Sequence, residues 1–129
     1  MRIVYIARHG GHDNDDEGAI GFALEQLGHQ VIRLPETCKA SLINAQSCDF
    51  VLSHKWEDFS QASQVKHPLV FWYFDLLCGD AAPQLRIRSR RRWIHTMTKL
   101  CAVGFCTDGD WVSLDRTGKL HCLDRKSVV

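Results

Sequence analysis

The stretch from Arg2 to Leu34 leaves this chain the fewest options. Ile3-Val4-Tyr5-Ile6-Ala7 is a short, nearly unbroken apolar run, as a strand covered on both faces requires. Arg8-His9-Gly10-Gly11-His12 then interrupts it with polar residues and glycines. Asn14 is placed to cap a helix, and Glu17, three residues on, is the reciprocal partner of a capping box. Ile20, Ala23, Leu24 and Leu27 recur at helical spacing and offer one face for burial, and Gly28 ends the helix. His29-Gln30-Val31-Ile32-Arg33-Leu34 begins a second strand. Strand, loop, helix and strand in this order commit the chain to α/β architecture from its second residue.

The same alternation continues. Pro35 ends the second strand, and Thr37 is placed to cap a weak helix running through Ala45 with Leu42 and Ile43. A third strand spans Asp49 to Ser53, followed by His54-Lys55-Trp56 and a short polar helix reaching about Val65. The strongest strand is Pro68 to Phe74, ending on Asp75. After a loop from Leu76 to Pro83, a long helix runs to Leu100, with Trp93, Ile94, Met97, Leu100 and Cys101 on one face. Its other face carries Arg86, Arg88, Arg90, Arg91 and Arg92. Ala102 to Cys106 is a fifth strand, a helix begins near Trp111, and Lys119 to Leu123 is a last strand. The pattern predicts a three-layer α/β sandwich, Rossmann-like, with a mostly parallel sheet of about five or six strands and right-handed crossovers. Ligands of such sheets bind outside the carboxyl ends of the strands, near the switch in strand order.

Composition narrows the function classes. The 129 residues suffice for one domain with a hydrophobic core, and a formal net charge of +1 gives no global field toward nucleic acid or membrane. No apolar run approaches the ~20 residues of a membrane span. The chain enters a strand without the basic and apolar regions of a secretion signal, so a cytoplasmic location is expected. The cysteines, Cys38, Cys48, Cys78, Cys101, Cys106 and Cys122, form no C-x-x-C pair and read as buried free thiols. The histidines show no metal-ligand spacing, and no metal is expected.

Chemistry concentrates at the strand ends: Arg8 to Asp16, Ser53 to Lys55, Asp75, and Thr107 to Asp110. Gly10 and Gly11 permit close backbone approach beside free helix N–H groups. This is not a G-x-G-x-x-G loop, however, and Asp13, Asp15, Asp16 and Glu17 would repel a pyrophosphate at the helix end. The same acids favour the positive end of the helix dipole, which explains them without any ligand. Asp75 follows a buried strand, where partial desolvation raises a carboxylate's pKa and suits it to act as a base. Thr107-Asp108-Gly109-Asp110 holds the equivalent place after strand five, with capping of the next helix as its structural role. The arginine face of the long helix, with a local charge of about +5, is a solvated surface or a contact for phosphate or nucleic acid.

Two resemblances emerge from these segments. Arg8-His9-Gly10 matches the short R-H-G motif of histidine phosphatases, which implies a phosphohydrolase with His9 as nucleophile; Gly11-His12 stands where that family carries an acid and then threonine or serine. More of the chain, to about Leu123, resembles the N-terminal domain of a GT-B type glycosyltransferase. V-Y-I-A-R-H-G-G-H-D-N-D-D-E-G-A-I, A-L-E-Q-L-G-H-Q-V, V-F-W-Y-F-D-L and G-F-C-T-D-G-D-W-V carry the likeness. The nearest group is one of uncharacterised bacterial and phage glycosyltransferase-like proteins. It implies transfer of a sugar from a nucleotide-sugar, the donor substrate, to an acceptor, without a resident cofactor. His9, Asp15 and Asp75 become the candidate catalytic bases. Arg8, Gly10, Gly11, Asn14, Thr107, Asp108 and Asp110 become candidate substrate contacts. The resemblance also implies a missing C-terminal donor-binding domain as partner. Asp124 to Val129 resembles translated adapter sequence, so residues 1–123 are expected to be the natural domain, inactive alone. A non-catalytic Rossmann-like binding module is the remaining reading.

Overall fold

Among the described residues, six strands and four helices follow one another, alternating as far as the fifth strand. The structure is a computed structural model, and it describes residues 1–9, 16–74, 84–107, 111–112 and 115–123. Every strand ladder in it is parallel, and the fold is α/β and Rossmann-like. The chain divides into two compact units, Met1–Leu69 and Val70–Val129.

In the first unit, β1 (Arg2–Ala7) lies between β2 (Gln30–Pro35) and β3 (Phe50–Ser53). Ile3 sits opposite both Val31 and Phe50, and Ala7 opposite Pro35. The unbroken apolar run has its cause here: Ile3 through Ala7 are at most 1% exposed, because a central parallel strand is covered on both faces. Asp49 orients the entry to this ladder by accepting the Arg2 N–H at 2.7 Å.

Helix α1 (Asp16–Gln26) ends in a Schellman motif. Gly28, at φ 92°, donates to the Glu25 carbonyl, and His29 donates to the Leu24 carbonyl. The buried face differs from the expected one. Gly21 is buried, Ile20 and Leu24 are half-buried, and Ala23 and Leu27 are exposed. Lacking a side chain, Gly21 lets the helix approach Tyr5 and the Arg33 guanidinium; a β-carbon there would lie 3.3 Å from the Tyr5 ring. That close approach sets the rotation of the helix and turns Phe22 outward, 61% exposed.

Helix α2 (Ala40–Asn44) is shorter than its sequence pattern suggests. Lys39, not Thr37, is its capping residue and supplies no side-chain bond. The Gln61 side chain accepts the Ala40 N–H at 2.7 Å instead, a cap from a distant residue. Helix α3 (Phe59–Ala62) is capped locally, by Asp58 accepting the Gln61 N–H.

In the second unit, β4 (Leu69–Tyr73), β5 (Val103–Cys106) and β6 (Leu120–Cys122) run in that order. Helix α4 (Gln84–Leu100) buries Trp93, Ile94 and Met97, as its apolar periodicity requires. Trp93 meets Phe71 edge-on and lies tilted against Tyr73, whose ring also meets Trp111 edge-on. Near Trp111, where a helix is expected to begin, the described residues 111–112 are in 3₁₀ conformation. The Asp115 carboxylate shapes the approach to β6 by accepting from the Thr117 N–H and hydroxyl and from the Leu120 N–H. Among the described residues, no helix is long and apolar enough to cross a membrane.

Candidate functional site

The strand order β2-β1-β3 places a switch point between β1 and β3 inside the first unit. A parallel sheet offers its ligand crevice outside the carboxyl ends flanking such a point. Arg8 and His9 follow β1, Glu36 follows β2, and His54 follows β3. The first turn of α1 brings Glu17 to the same end.

Tyr5 is the hub. Its hydroxyl donates to the Glu17 backbone carbonyl at 2.9 Å and lies 2.6 Å from His54 Nε2. The carbonyl has no proton to give, so the phenol's proton goes to it, and His54 must donate through Nε2–H. His54 is 1% exposed, and its ring meets that of Tyr5 edge-on. His9 stands on another edge of the same ring, with centroids 5.5 Å apart. Its Nε2 lies 3.0 Å from the Tyr5 backbone carbonyl, which places a proton on Nε2, so that in the neutral imidazole the lone pair is on Nδ1.

The surrounding charges are mostly acidic. The Arg8 N–H donates to the Glu17 carboxylate at 3.1 Å, while the Arg8 guanidinium lies 3.7 Å from Glu36. Burial raises the Glu36 carboxyl above its ordinary value; Glu17 and Glu57 add to the rise and Arg8 opposes it. The Glu36 backbone is fixed by the indole of Trp56, itself 1% exposed, donating to its carbonyl at 2.9 Å. Ser53, the last residue of β3, is fully buried, with a hydroxyl that has no hydrogen-bond partner among the described residues.

Of the residues expected from the sequence, the structure brings Arg8 and His9 together. The Arg8 guanidinium is exposed and faces the Glu36 carboxylate. Thr107 follows β5 in the second unit, where its hydroxyl donates to the Phe74 carbonyl and its N–H to the Tyr73 carbonyl. Both of its donors hold strand ends. Gly10, Gly11, Asn14, Asp15, Asp75, Asp108 and Asp110 lie outside the described residues. Sequence reasoning missed Glu36 and the coupling of His54 to Tyr5. A glutamate after Pro35 looks like any loop acid, and only the β1–β2 register places it beside Arg8.

Among the described residues, no group of three or more His, Cys, Asp or Glu could hold a metal ion. Cys38, Cys101 and Cys106 are buried, and burial pushes the Cys101 thiol up to about 11, with Lys119 opposing. Compared with protein-family models, curated proteins and solved structures, the chain matches none.

Proposed function

We propose that this chain is the acceptor-side, N-terminal domain of a GT-B type glycosyltransferase. The observation that supports it most is His9 at the β1–β3 switch point, whose Nε2 faces the Tyr5 carbonyl, so that the neutral ring carries its lone pair on Nδ1. Glu17 and Glu36 beside it suit the hydroxyl groups of a neutral acceptor better than a phosphate. In this reading a separate donor-binding domain supplies the nucleotide-sugar. His9 Nδ1 takes the proton of an acceptor hydroxyl as its oxygen bonds to the anomeric carbon. The bond from that carbon to the diphosphate oxygen breaks, and the nucleoside diphosphate leaves with the electron pair.

The phosphohydrolase reading requires cations converging on a nucleophilic ring nitrogen. Here the Arg8 guanidinium is turned to Glu36 and His9 Nε2 to a carbonyl, so the local geometry favours the transferase.

The test pairs binding with turnover. A panel of neutral saccharides titrated into the chain should shift the amide resonances of Arg8, His9, Glu36 and His54. Together with a donor-binding domain, the chain should release nucleoside diphosphate from one nucleotide-sugar. His9→Gln should lower that rate by about 10²–10⁴, the usual contribution of a general base. Asp15→Ala and Asp75→Ala measured beside it decide among the three candidate bases. Hydrolysis of a phosphate ester by this chain alone, through a phosphohistidine, would sink the proposal.

A further inference from the structure

We infer that the outer face of α4 is a binding surface for the phosphodiester backbone of a nucleic acid. The inference does not rest on the transferase reading. Gln84–Leu100 contains six Lys or Arg and no Asp or Glu. Arg88, Arg91, Arg92 and Lys99 are exposed, and none of the four has an ion pair among the described residues. At 3.6 residues per turn, these four and His95 project within an arc of about 100°, opposite Trp93, Ile94 and Met97. Arg88 to Lys99 covers ~16 Å of helix axis, over which one nucleic-acid strand presents about four or five phosphates.

The arrangement works against the helix itself. Arg86 lies in its first turn, where a cation opposes the helix dipole. Arg88 and Arg92 are like charges one turn apart. A solvated face shaped for stability would intersperse acids and move the cations toward the C-terminus. The predominance of arginine also fits phosphate, which its planar fork binds through two parallel hydrogen bonds.

Charge is segregated at larger scale too. Residues 1–69 carry six Lys or Arg against nine Asp or Glu, net −3; residues 70–129 carry ten against six, net +4. A near-neutral total therefore hides a local positive field, the footprint expected of a nucleic-acid surface. An anionic membrane is the lesser fit. Trp93, Ile94 and Met97 are buried, so among the described side chains the arginine face has no exposed apolar group to enter lipid.

Fluorescence anisotropy with a labelled mixed-sequence DNA duplex and a single-stranded RNA tests this, beside vesicles of phosphatidylglycerol and phosphatidylcholine. Four phosphate contacts predict a slope of log K against log salt of about −3.6 on duplex, a loss of roughly 150-fold between 50 and 200 mM NaCl. Arg88→Gln, Arg91→Gln and Arg92→Gln combined should flatten the slope to about −0.9. Lys39→Gln with Lys66→Gln, exposed cations of the first unit, should leave it unchanged. If circular dichroism shows the triple variant unfolded, Arg88→Gln and Arg91→Gln singly must each reduce the slope by about 0.9. Absence of binding to either nucleic acid at low salt overturns the inference. So does a slope that folded variants leave unchanged, or binding to the anionic vesicles alone.

Discussion

A β-carbon added at Gly104 would lie 2.4 Å from the Phe71 ring, whose other neighbours include Trp93. The ring is fully buried and has nowhere to retreat. Gly104→Ala should therefore destabilise the protein by about 1–3 kcal/mol, as overpacked cores do, read as a lower urea midpoint. Gly21→Ala is the useful contrast. Its added carbon would approach the Arg33 guanidinium at 2.7 Å, the end of a flexible side chain that also pairs with Glu25, and the Tyr5 ring at 3.3 Å, a contact that a small shift of the helix relieves. The guanidinium swings away, alanine gains about 1 kcal/mol in helix propensity, and the net change should stay within about 1 kcal/mol. An equal loss at both positions would contradict this difference. Glu36 supplies a residue-scale pH prediction. Its folded pKa is raised, so its stabilising contribution is complete below the ordinary carboxylate value of 4.5 and is lost as pH rises through the folded value. Arg8 opposes that rise, so Arg8→Gln should move the Glu36 midpoint further up. A carboxyl carbon titration by NMR reads it directly, and an unchanged or lower midpoint refutes the coupling.

Among the elements, β1 is the best protected, being hydrogen-bonded on both edges and buried along its length. The amides of Val4, Tyr5 and Ile6 should exchange with solvent most slowly in the first unit, and those of α1 much faster, since Ala19, Phe22 and Ala23 face water. Comparable exchange in the two elements would show that α1 is held by more than Gly21, Ile20 and Leu24. The strands are legible in the sequence because each is a local run of apolar, β-favouring residues between breakers. The cap of α2 is not legible, because its acceptor comes from Gln61, distant in sequence. The buried face of α1 escapes the sequence pattern for a related reason. Periodicity ranks side chains by hydrophobicity, whereas this helix docks through the residue that has none.

Across the molecule, opposite charge and different chemistry separate the two proposed surfaces by sequence. The saccharide surface draws on Arg8, His9, Glu17, Glu36 and His54 in the first unit, and the phosphate surface on Arg88 to Lys99 in the second. Amide shifts induced by a neutral saccharide should fall within residues 1–69, and those induced by a nucleic-acid duplex within 84–107. One ligand shifting both sets equally would join surfaces that the charge pattern separates. Part of the candidate site is readable from the sequence. Arg8 and His9 stand out as polar residues at the end of a buried strand, while Glu36 and the Tyr5–His54 pair do not.

The sequence by itself determined the order and type of the strands and helices, the C-terminal end of β1, and the outward placement of Arg88, Arg91 and Arg92 on α4, though not of Arg90, which is half-buried. Each of these is written in neighbouring residues, where backbone preference and hydrophobic period act over a few positions. Only the tertiary structure decided which loop acid meets Arg8, which histidine holds the Tyr5 hydroxyl, and which side of α1 is covered. Those outcomes depend on parallel crossovers that bring β1, β2 and β3 side by side across up to about 50 residues of sequence. A local pattern carries no record of that register, and the site's chemistry depends on it.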